Sequence, residues 1–572
     1  GSAGRDKTLK TQGAAAGSWG KYSEDTEGKH MKRFKVRVIA AALALSAFAF
    51  TTGFARASEY AAGTAGYLKS ATYYSDDWVI NFWNSESKNM DAELAQIAED
   101  GFNSIILVIP WREFQPGTNP IAYNTYPWDK LDRVMEAAAA QNLSVMLRVG
   151  YTWDYYGRDN VLNRFQALLY DEDMRLAWLD YVKRLYERTS AHENFCGGFI
   201  TWEDFWNFTE SAANLGKGAY SREMAAKVGY TDYLRERYSL EELGKLYRTR
   251  FSSYDALYLP EGNSPARAVF YEFYNHFLNQ LLAESQEVFP DLSMEVRLDG
   301  DPVTQADGSV RGYMHSDTFA CENASYSSTM YSIPMGQANQ YERITAAQAV
   351  DMAPWMLGNI HNYNNGKGLY IDQFLFTDNT VGFEHNAQLL DEEKPVYLEA
   401  IVPVLKNMSM GYGIWTYRDY GDNKLYNAQF ALGDKEWTFT GSGRVEERGG
   451  SMAAVLPSGA SVSQKIGSRS SGNAGSKGYV RFKVSSEGNS DVTVRLGNMS
   501  KSVNVTGERT VDLEFTAPSF SALTIENRGA EVWVDDISVY TFVTRGEVYE
   551  MDGEPGPCLE AVRQMNQALG TP

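Results

Sequence analysis

Two short apolar runs in this chain end in carboxylates. They are Phe199-Ile200-Thr201-Trp202-Glu203-Asp204 and, much later, Gly368-Leu369-Tyr370-Ile371-Asp372-Gln373. Two acids on facing walls can divide acid–base work between them. One, neutral, protonates a leaving oxygen, while the other, charged, meets the reacting carbon from the opposite side. Such acids need rigid supports, and buried strands that each present an acid at the C-terminal tip are how a parallel β/α barrel provides them. Glu203, Asp204 and Asp372 are therefore the candidate catalytic residues. A plainer use competes for each: Glu203 and Asp204 as a structural ion pair at a strand end, Asp372 as a helix cap or a partner of Arg418.

The elements that would position these acids follow from periodicity. Between Trp78 and Trp415, short apolar runs alternate with long amphipathic stretches. The expected strands are 78–83, 104–110, 143–149, 197–203, 293–299, 328–333, 368–374 and 411–416. Runs such as Ile105-Ile106-Leu107-Val108-Ile109 suit strands buried on both faces. Between them, Leu131, Val134, Met135 and Ala138 recur at helical spacing, as do Tyr397, Ile401, Val404 and Leu405. Eight such units predict an α/β fold, a (β/α)8 TIM barrel, and no glycine-rich phosphate loop follows the first run. The connection from Phe205 to Asp291 is long and carries extra helices around 233–247 and 266–289, of the kind that shapes a cleft. After Asn423 the composition turns to Gly, Ser, Thr and Val in alternating strands such as Tyr479–Val484, Asp491–Leu496 and Val532–Val539. That pattern predicts an antiparallel β-sandwich of jelly-roll type. Pro557 to Leu569 reads as one amphipathic helix folding back on the barrel.

The chain of 572 residues carries a formal net charge of -20. This excludes nucleic acid as a partner, since nothing would neutralise phosphates, and disfavours an anionic membrane surface. The three cysteines, Cys196, Cys321 and Cys558, have neither metal-ligand spacing nor a disulfide pattern, and the six histidines form no cluster. No metal site and no cofactor is expected, with Asp535 and Asp536 as the one place where the sandwich offers acids to a structural calcium. Residues 1–30 read as a leader outside the fold. From Met31, a basic stretch, an apolar run and Ala55-Arg56-Ala57 read as a secretory signal at 31–57. The apolar run falls short of the ~20 residues a spanning helix needs. The expected product is secreted or extracytoplasmic and free of the membrane, or held at the cell surface if the signal stays uncleaved. The expected domains are the barrel at 58–424, the sandwich at 425–545 and a tail with its helix at 546–572.

Several motifs resemble the clan A retaining glycoside hydrolases across roughly Trp78 to Asp419. Gly101-Phe102-Asn103-Ser104-Ile105-Ile106 resembles the junction of their first helix and second strand. The run from Tyr233 to Leu243, leading to Phe251-Ser252-Ser253-Tyr254, is similar to a segment of the β-galactosidase type. Gly411-Tyr412-Gly413-Ile414-Trp415-Thr416-Tyr417 resembles the eighth strand, and Val534-Asp535-Asp536-Ile537-Ser538-Val539 the last strand of jelly-roll carbohydrate-binding modules.

The resemblance implies a secreted hydrolase that cleaves a β-linked oligo- or polysaccharide with two carboxylates by a retaining route. In the clan, the fourth strand ends in Trp-Asn-Glu, with the Glu as acid/base, and the seventh in a Glu nucleophile. Here Glu203 stands at the Asn position and Asp204 at the Glu position. Asp372 matches the nucleophile in a Met-Glu-Gln frame, and Gln373 takes that place in a Thr-Glu-Phe frame. Aspartates are one methylene shorter, and a gap above about 5.5 Å would favour an inverting route. Apolar neighbours Trp202 and Phe205 are expected to keep Glu203 neutral, while Arg148, Arg297 or Tyr331 would donate to Asp372. Trp83, Trp153, Trp202 and Trp415, with Arg148, Arg297, Tyr331 and Gln373, are the expected substrate-binding residues, and Trp415 is the expected stacking platform. Two other readings stay open: a catalytically inactive carbohydrate-binding or matrix protein on the same scaffold, and an inverting glycosidase or transglycosidase.

Overall fold

A computed structural model describes residues 66–153, 161–262, 264–295, 298–304, 310–314, 324–332, 341–363, 367–377, 387–466 and 477–570. The leader, the signal segment, Arg297 and Cys321 lie outside them. Eight parallel strands form the barrel: β1 (Leu68–Thr72), β2 (Ser104–Ile109), β3 (Ser144–Val149), β4 (Phe195–Ile200), β5 (Ser293–Met294), β6 (Tyr326–Ser332), β7 (Gly368–Leu375) and β8 (Gly411–Ile414). Their order is β6-β7-β8-β1-β2-β3-β4-β5, and a parallel bridge from Glu295 to Ser328 joins the two ends into a ring.

The first strand is not the expected one. Trp78 to Trp83 forms a loop and a short 3₁₀ turn at Asn81–Asn84, and β1 lies upstream at Leu-Lys-Ser-Ala-Thr. Its polar residues conceal β1 from a hydrophobicity scan, yet they are buried, and Lys69 and Ser70 have bonded partners. The Ser70 hydroxyl pairs with that of Ser104 at 2.8 Å and accepts from Tyr370 at 2.8 Å inside the ring. Lys69 donates to backbone carbonyls of the C-terminal segment, Gly570 at 2.6 Å and Asn566 at 3.3 Å. A strand whose polar groups have dedicated partners does not need to be apolar.

Inside the ring, Ile106, Met146, Phe199, Tyr326 and Tyr370 form one cluster, and the outward residues of the same strands pack against the surrounding helices. The insertion between β4 and β5 ends in a helix of 20 residues, α1 (Arg267–Gln286). Its Tyr274 touches the Trp202 ring at 5.5 Å and donates to the Phe205 carbonyl at 2.8 Å, so this helix backs the turn that carries Glu203.

The second domain is an antiparallel sheet folded over its own core. Its long central strand β9 (Lys477–Leu496) pairs by its first half with β10 (Val532–Tyr540) and by its second half with Ala522–Asn527. The alternation of inward Val480, Phe482, Val484, Val492, Val494 and Leu496 fills that core. Asp535 and Asp536 are both paired with lysines: Lys88 reaches them at 2.7 and 3.1 Å, and Lys483 reaches Asp536 at 2.6 Å.

After the sandwich the chain returns. The final helix, α2 (Leu559–Leu569), buries Leu559, Val562, Met565 and Leu569 against the barrel. Arg563 meets Asp100 at 2.8 Å, and Asn566 binds both the Tyr412 hydroxyl at 2.5 Å and the Asp100 carbonyl at 3.0 Å.

Candidate active site

The two acid-bearing strands stand on facing walls. In the ring, β4 and β7 are separated by β5 and β6 on one side. Their inward residues Phe199 and Tyr370 meet across the axis, with ring centroids 6.2 Å apart. The next residues toward the C-terminal mouth are Thr201 on one wall and Asp372 on the other.

On the β4 side the strand stops at Ile200, and Trp202–Asp204 turns into one 3₁₀ turn. This separates the two acids. Asp204 is fully enclosed, and it accepts hydrogen bonds from the Thr201 hydroxyl (2.6 Å), the Thr152 backbone N–H (3.1 Å) and the Thr152 hydroxyl (3.3 Å). Burial pushes its carboxyl above the ordinary range, while Arg148 and Thr201 pull it back. Glu203 keeps 26% of its side chain exposed and accepts from Arg148 Nη2 at 3.1 Å. The same nitrogen donates to Thr201 at 3.0 Å and stands 3.4 Å from Asp204. Burial alone would lower the Arg148 pKa, but Asp204 and Glu203, helped by Tyr151 and Glu295, raise it, so the guanidinium stays charged. Glu295, buried beyond the end of β5, accepts the Trp202 backbone N–H at 2.9 Å.

These contacts revise two expectations. Glu203 is not sealed among apolar neighbours: its side chain is partly exposed and accepts from a cation, while Trp202 packs on Tyr274 and Phe205 on Phe165. Arg148 serves the β4 acids, where it was expected at Asp372. The ion-pair reading of Glu203 and Asp204 is thus realised through Arg148, whereas Arg418, named in the plainer alternative for Asp372, pairs with Glu93 at 3.4 Å.

On the β7 side a bulge decides the geometry. Ile371 pairs with Tyr412 and Phe374 with Ile414, so two residues of β7 face one of β8. On the other neighbour, Thr329 pairs with Ile371 and Met330 with Gln373, leaving Asp372 as the inserted residue. Ile371 and Phe374 both face outward, into the core between barrel and helices. Asp372 and Gln373 therefore both lie between two outward positions, where strict alternation would have put them on opposite faces. Asp372 is 1% exposed, and Gln373 is more open.

The aromatic candidates divide sharply. Trp415 is half-buried and leans on Tyr74 (6.1 Å), Trp78 (6.3 Å) and Tyr420 (5.9 Å), and Trp78 also meets Tyr151 at 5.9 Å. The Trp415–Thr416 peptide is cis. Trp153 is 43% exposed at the mouth, directly after Thr152. Trp83 and Trp202 are buried core residues: Trp83 donates to the Val108 carbonyl at 2.7 Å and packs on Phe114. Tyr331 faces outward and stacks on Phe374 at 6.1 Å, away from Asp372. Sequence reasoning missed Thr152, Thr201 and the supporting rings Tyr74, Trp78, Tyr151 and Tyr420. The density of aromatic residues at 73–83 was the available signal, and it was spent on a strand. Among the described residues no group of His, Cys, Asp and Glu has the geometry to hold a metal ion.

No family model matches the chain, and no curated protein is similar to it in sequence. Solved structures are similar in fold. A β-galactosidase from the psychrophilic Marinomonas ef1 is 14% identical over 61% of this chain and 54% of its own, with a TM-score of 0.41. A GH5_18 protein from Streptomyces cattleya in complex with GlcNAc is 12% identical over 62% of this chain and 72% of its own, with a TM-score of 0.39. An exo-β-1,4-mannosidase from Opitutaceae bacterium strain TAV5 is 12% identical over 62% of this chain and 52% of its own, with a TM-score of 0.38. This chain thus spans about half the length of the galactosidase and of the mannosidase. A further 21% of the chain is similar, at 20% identity and a TM-score of 0.18, to 99% of TmCBM61 in complex with β-1,4-galactotriose. The barrel itself stands on its own strand pairing.

Proposed function

We propose that the protein is a glycoside hydrolase that cleaves a β-linked oligo- or polysaccharide at the C-terminal mouth of the barrel. Glu203 and Asp372 are the two working carboxylates, and Trp415 is the platform for the sugar ring. The observation that supports this most is the facing of β4 and β7. The Phe199–Tyr370 contact joins the two walls, and toward the mouth β7 carries Asp372 two residues on while β4 runs into the turn that carries Glu203. In a retaining route, Asp372 attacks the anomeric carbon while Glu203 protonates the leaving oxygen, and Glu203 then activates water. Arg148 faces two carboxylates, Glu203 at 3.1 Å and Asp204 at 3.4 Å. Asp204 is too enclosed to touch substrate and acts by holding Arg148 and Thr152 in place. We place the protein outside the cytoplasm on the strength of the sequence at 31–57.

A second reading has its own observation. Asp372 is 1% exposed and Glu203 is tied to a cation, as they would be in a silent scaffold that only binds glycans. One experiment separates the two. Reducing-sugar release from a panel of neutral β-linked glycans is measured for the wild type, Glu203→Gln and Asp372→Asn. Each substitution is expected to remove activity by about 10²–10⁴-fold or more. Equal inertness of all three with retained glycan binding would establish the silent binder instead. The anomer of the first product, read by NMR, distinguishes retention from inversion.

A further inference from the structure

The chain leaves the barrel after Trp415, builds the sandwich, and comes back past the same point. Outgoing residues 416–422 and incoming residues 541–549 run side by side. Tyr420–Gly421 pairs antiparallel with Val543–Thr544. Asp422 accepts from the Thr541 N–H (2.5 Å), the Thr541 hydroxyl (2.6 Å) and the Phe542 N–H (3.1 Å). Asp419 accepts from the Gly546 N–H at 2.6 Å and donates its own N–H to the Tyr549 carbonyl at 2.8 Å. The tightest approach is at Gly546. A Cβ added there would stand 2.9 Å from the Thr416 nitrogen and nearer still to the Thr416 carbonyl and hydroxyl oxygens. The returning backbone is therefore pressed against the residue that follows Trp415, and only a glycine leaves room for it.

From the other side Trp415 meets Tyr74, Trp78 and Tyr420, and the Tyr74 hydroxyl donates to the Arg418 carbonyl at 2.8 Å. The indole thus leans on three rings, and the residue that follows it is pressed by the return segment. We infer that the return segment, through Gly546 and Asp419, is a positioning device that sets the angle of the Trp415 platform. This rests on the reading of Trp415 as the sugar platform. Gly546 and Asp419 touch no substrate; they act through Thr416. The incoming segment is fixed by Asp419 and Asp422, so a methyl group at position 546 is accommodated by moving Thr416, and Trp415 with it. Displacements on the order of 1 Å at a binding surface are enough to change kinetics strongly.

The test uses the full chain and four single variants: Gly546→Ala, Asp419→Ala, Trp415→Phe and Tyr549→Phe. The last breaks the Tyr549–Asp100 hydrogen bond farther along the same segment without touching Thr416. Near-UV circular dichroism and tryptophan fluorescence are recorded for each, and Gly546→Ala and Asp419→Ala are each repeated in the Trp415→Phe background. Gly546→Ala and Asp419→Ala are expected to change the tryptophan signal in the wild-type background and not in the Trp415→Phe background. On a cleaved glycan they are expected to raise KM about tenfold with a smaller effect on kcat, whereas Tyr549→Phe lowers Tm and leaves KM and the signal alone. Should Gly546→Ala fail to fold, Asp419→Ala carries the same readouts. The inference is overturned if both variants lower Tm while leaving the Trp415 signal and KM unchanged. The spectra need no activity, so a protein that cleaves no glycan would sink the hydrolase reading and still decide this one.

Discussion

Arg148 is the residue on which the β4 acids depend. Its side chain is 3% exposed and faces Glu203 and the fully enclosed Asp204. Arg148→Met would leave Asp204 as an uncompensated buried charge, a loss of about 3–5 kcal/mol. Adding Asp204→Asn should recover most of that stability, a coupling that chemical denaturation of the two single variants and the double variant would measure. Asp204 also predicts a pH dependence. Its pKa is raised by burial, so its contribution is fully present below the ordinary carboxylate range of about pH 4 and is lost as pH rises through the folded value. The Tm of Asp204→Asn should therefore gain on the wild type between pH 4 and pH 7; a constant difference would show that the carboxylate is not destabilised. At this scale the sequence displayed the acids but not their assignment. Glu203 and Asp204 are neighbours in any frame, and only the 3₁₀ turn after Ile200 makes one a sealed anchor and the other an accessible group.

The bulge in β7 is the element that makes Asp372 and Gln373 share a side. It faces Gly413 on β8, where a Cβ would stand 3.2 Å from both the Asp372 carbonyl and the Tyr370 hydroxyl and would collide with Ile106. Gly413→Ala should thus displace the bulge, lowering hydrolysis as severely as Asp372→Asn while Glu203 and its partners stay intact; activity near wild type would refute the role given to the bulge. Most elements could be read from periodicity, because β2, β3 and β7 are apolar runs and the insertion helices repeat at helical spacing. Two features could not. Lys69 and Ser70 hide β1 because their partners are contributed by residues far away in the chain. A bulge leaves no mark in composition, so the sequence does not show that Asp372 and Gln373 share a side.

For the whole molecule, the joint between barrel and sandwich is polar. Lys88 from the barrel bridges Asp535 and Asp536, Glu86 accepts from the Met452 N–H at 2.8 Å and the Ser451 hydroxyl at 2.9 Å, and the Asn84 side chain accepts the Asn427 N–H at 2.8 Å. Since lysines neutralise the two aspartates, EDTA should leave the calorimetric Tm unchanged, while Lys88→Met should lower it; a drop with EDTA would reveal a cation the lysines do not replace. The sandwich domain was visible in the sequence as alternating strands, whereas its docking was not, because single charged residues in loops carry no periodic signal.

The sandwich begins and ends at one spot, where the Lys424 N–H reaches the Val539 carbonyl at 2.8 Å and the Asn423 side chain takes the Val539 N–H at 3.1 Å. It is therefore a cassette set into the barrel's polypeptide ahead of α2, the helix that packs against β1 and β8. During synthesis the ribosome makes all eight staves before the sandwich, and the piece that locks them emerges only afterwards. A nascent barrel must wait, unsealed along that seam, until its passenger has been translated.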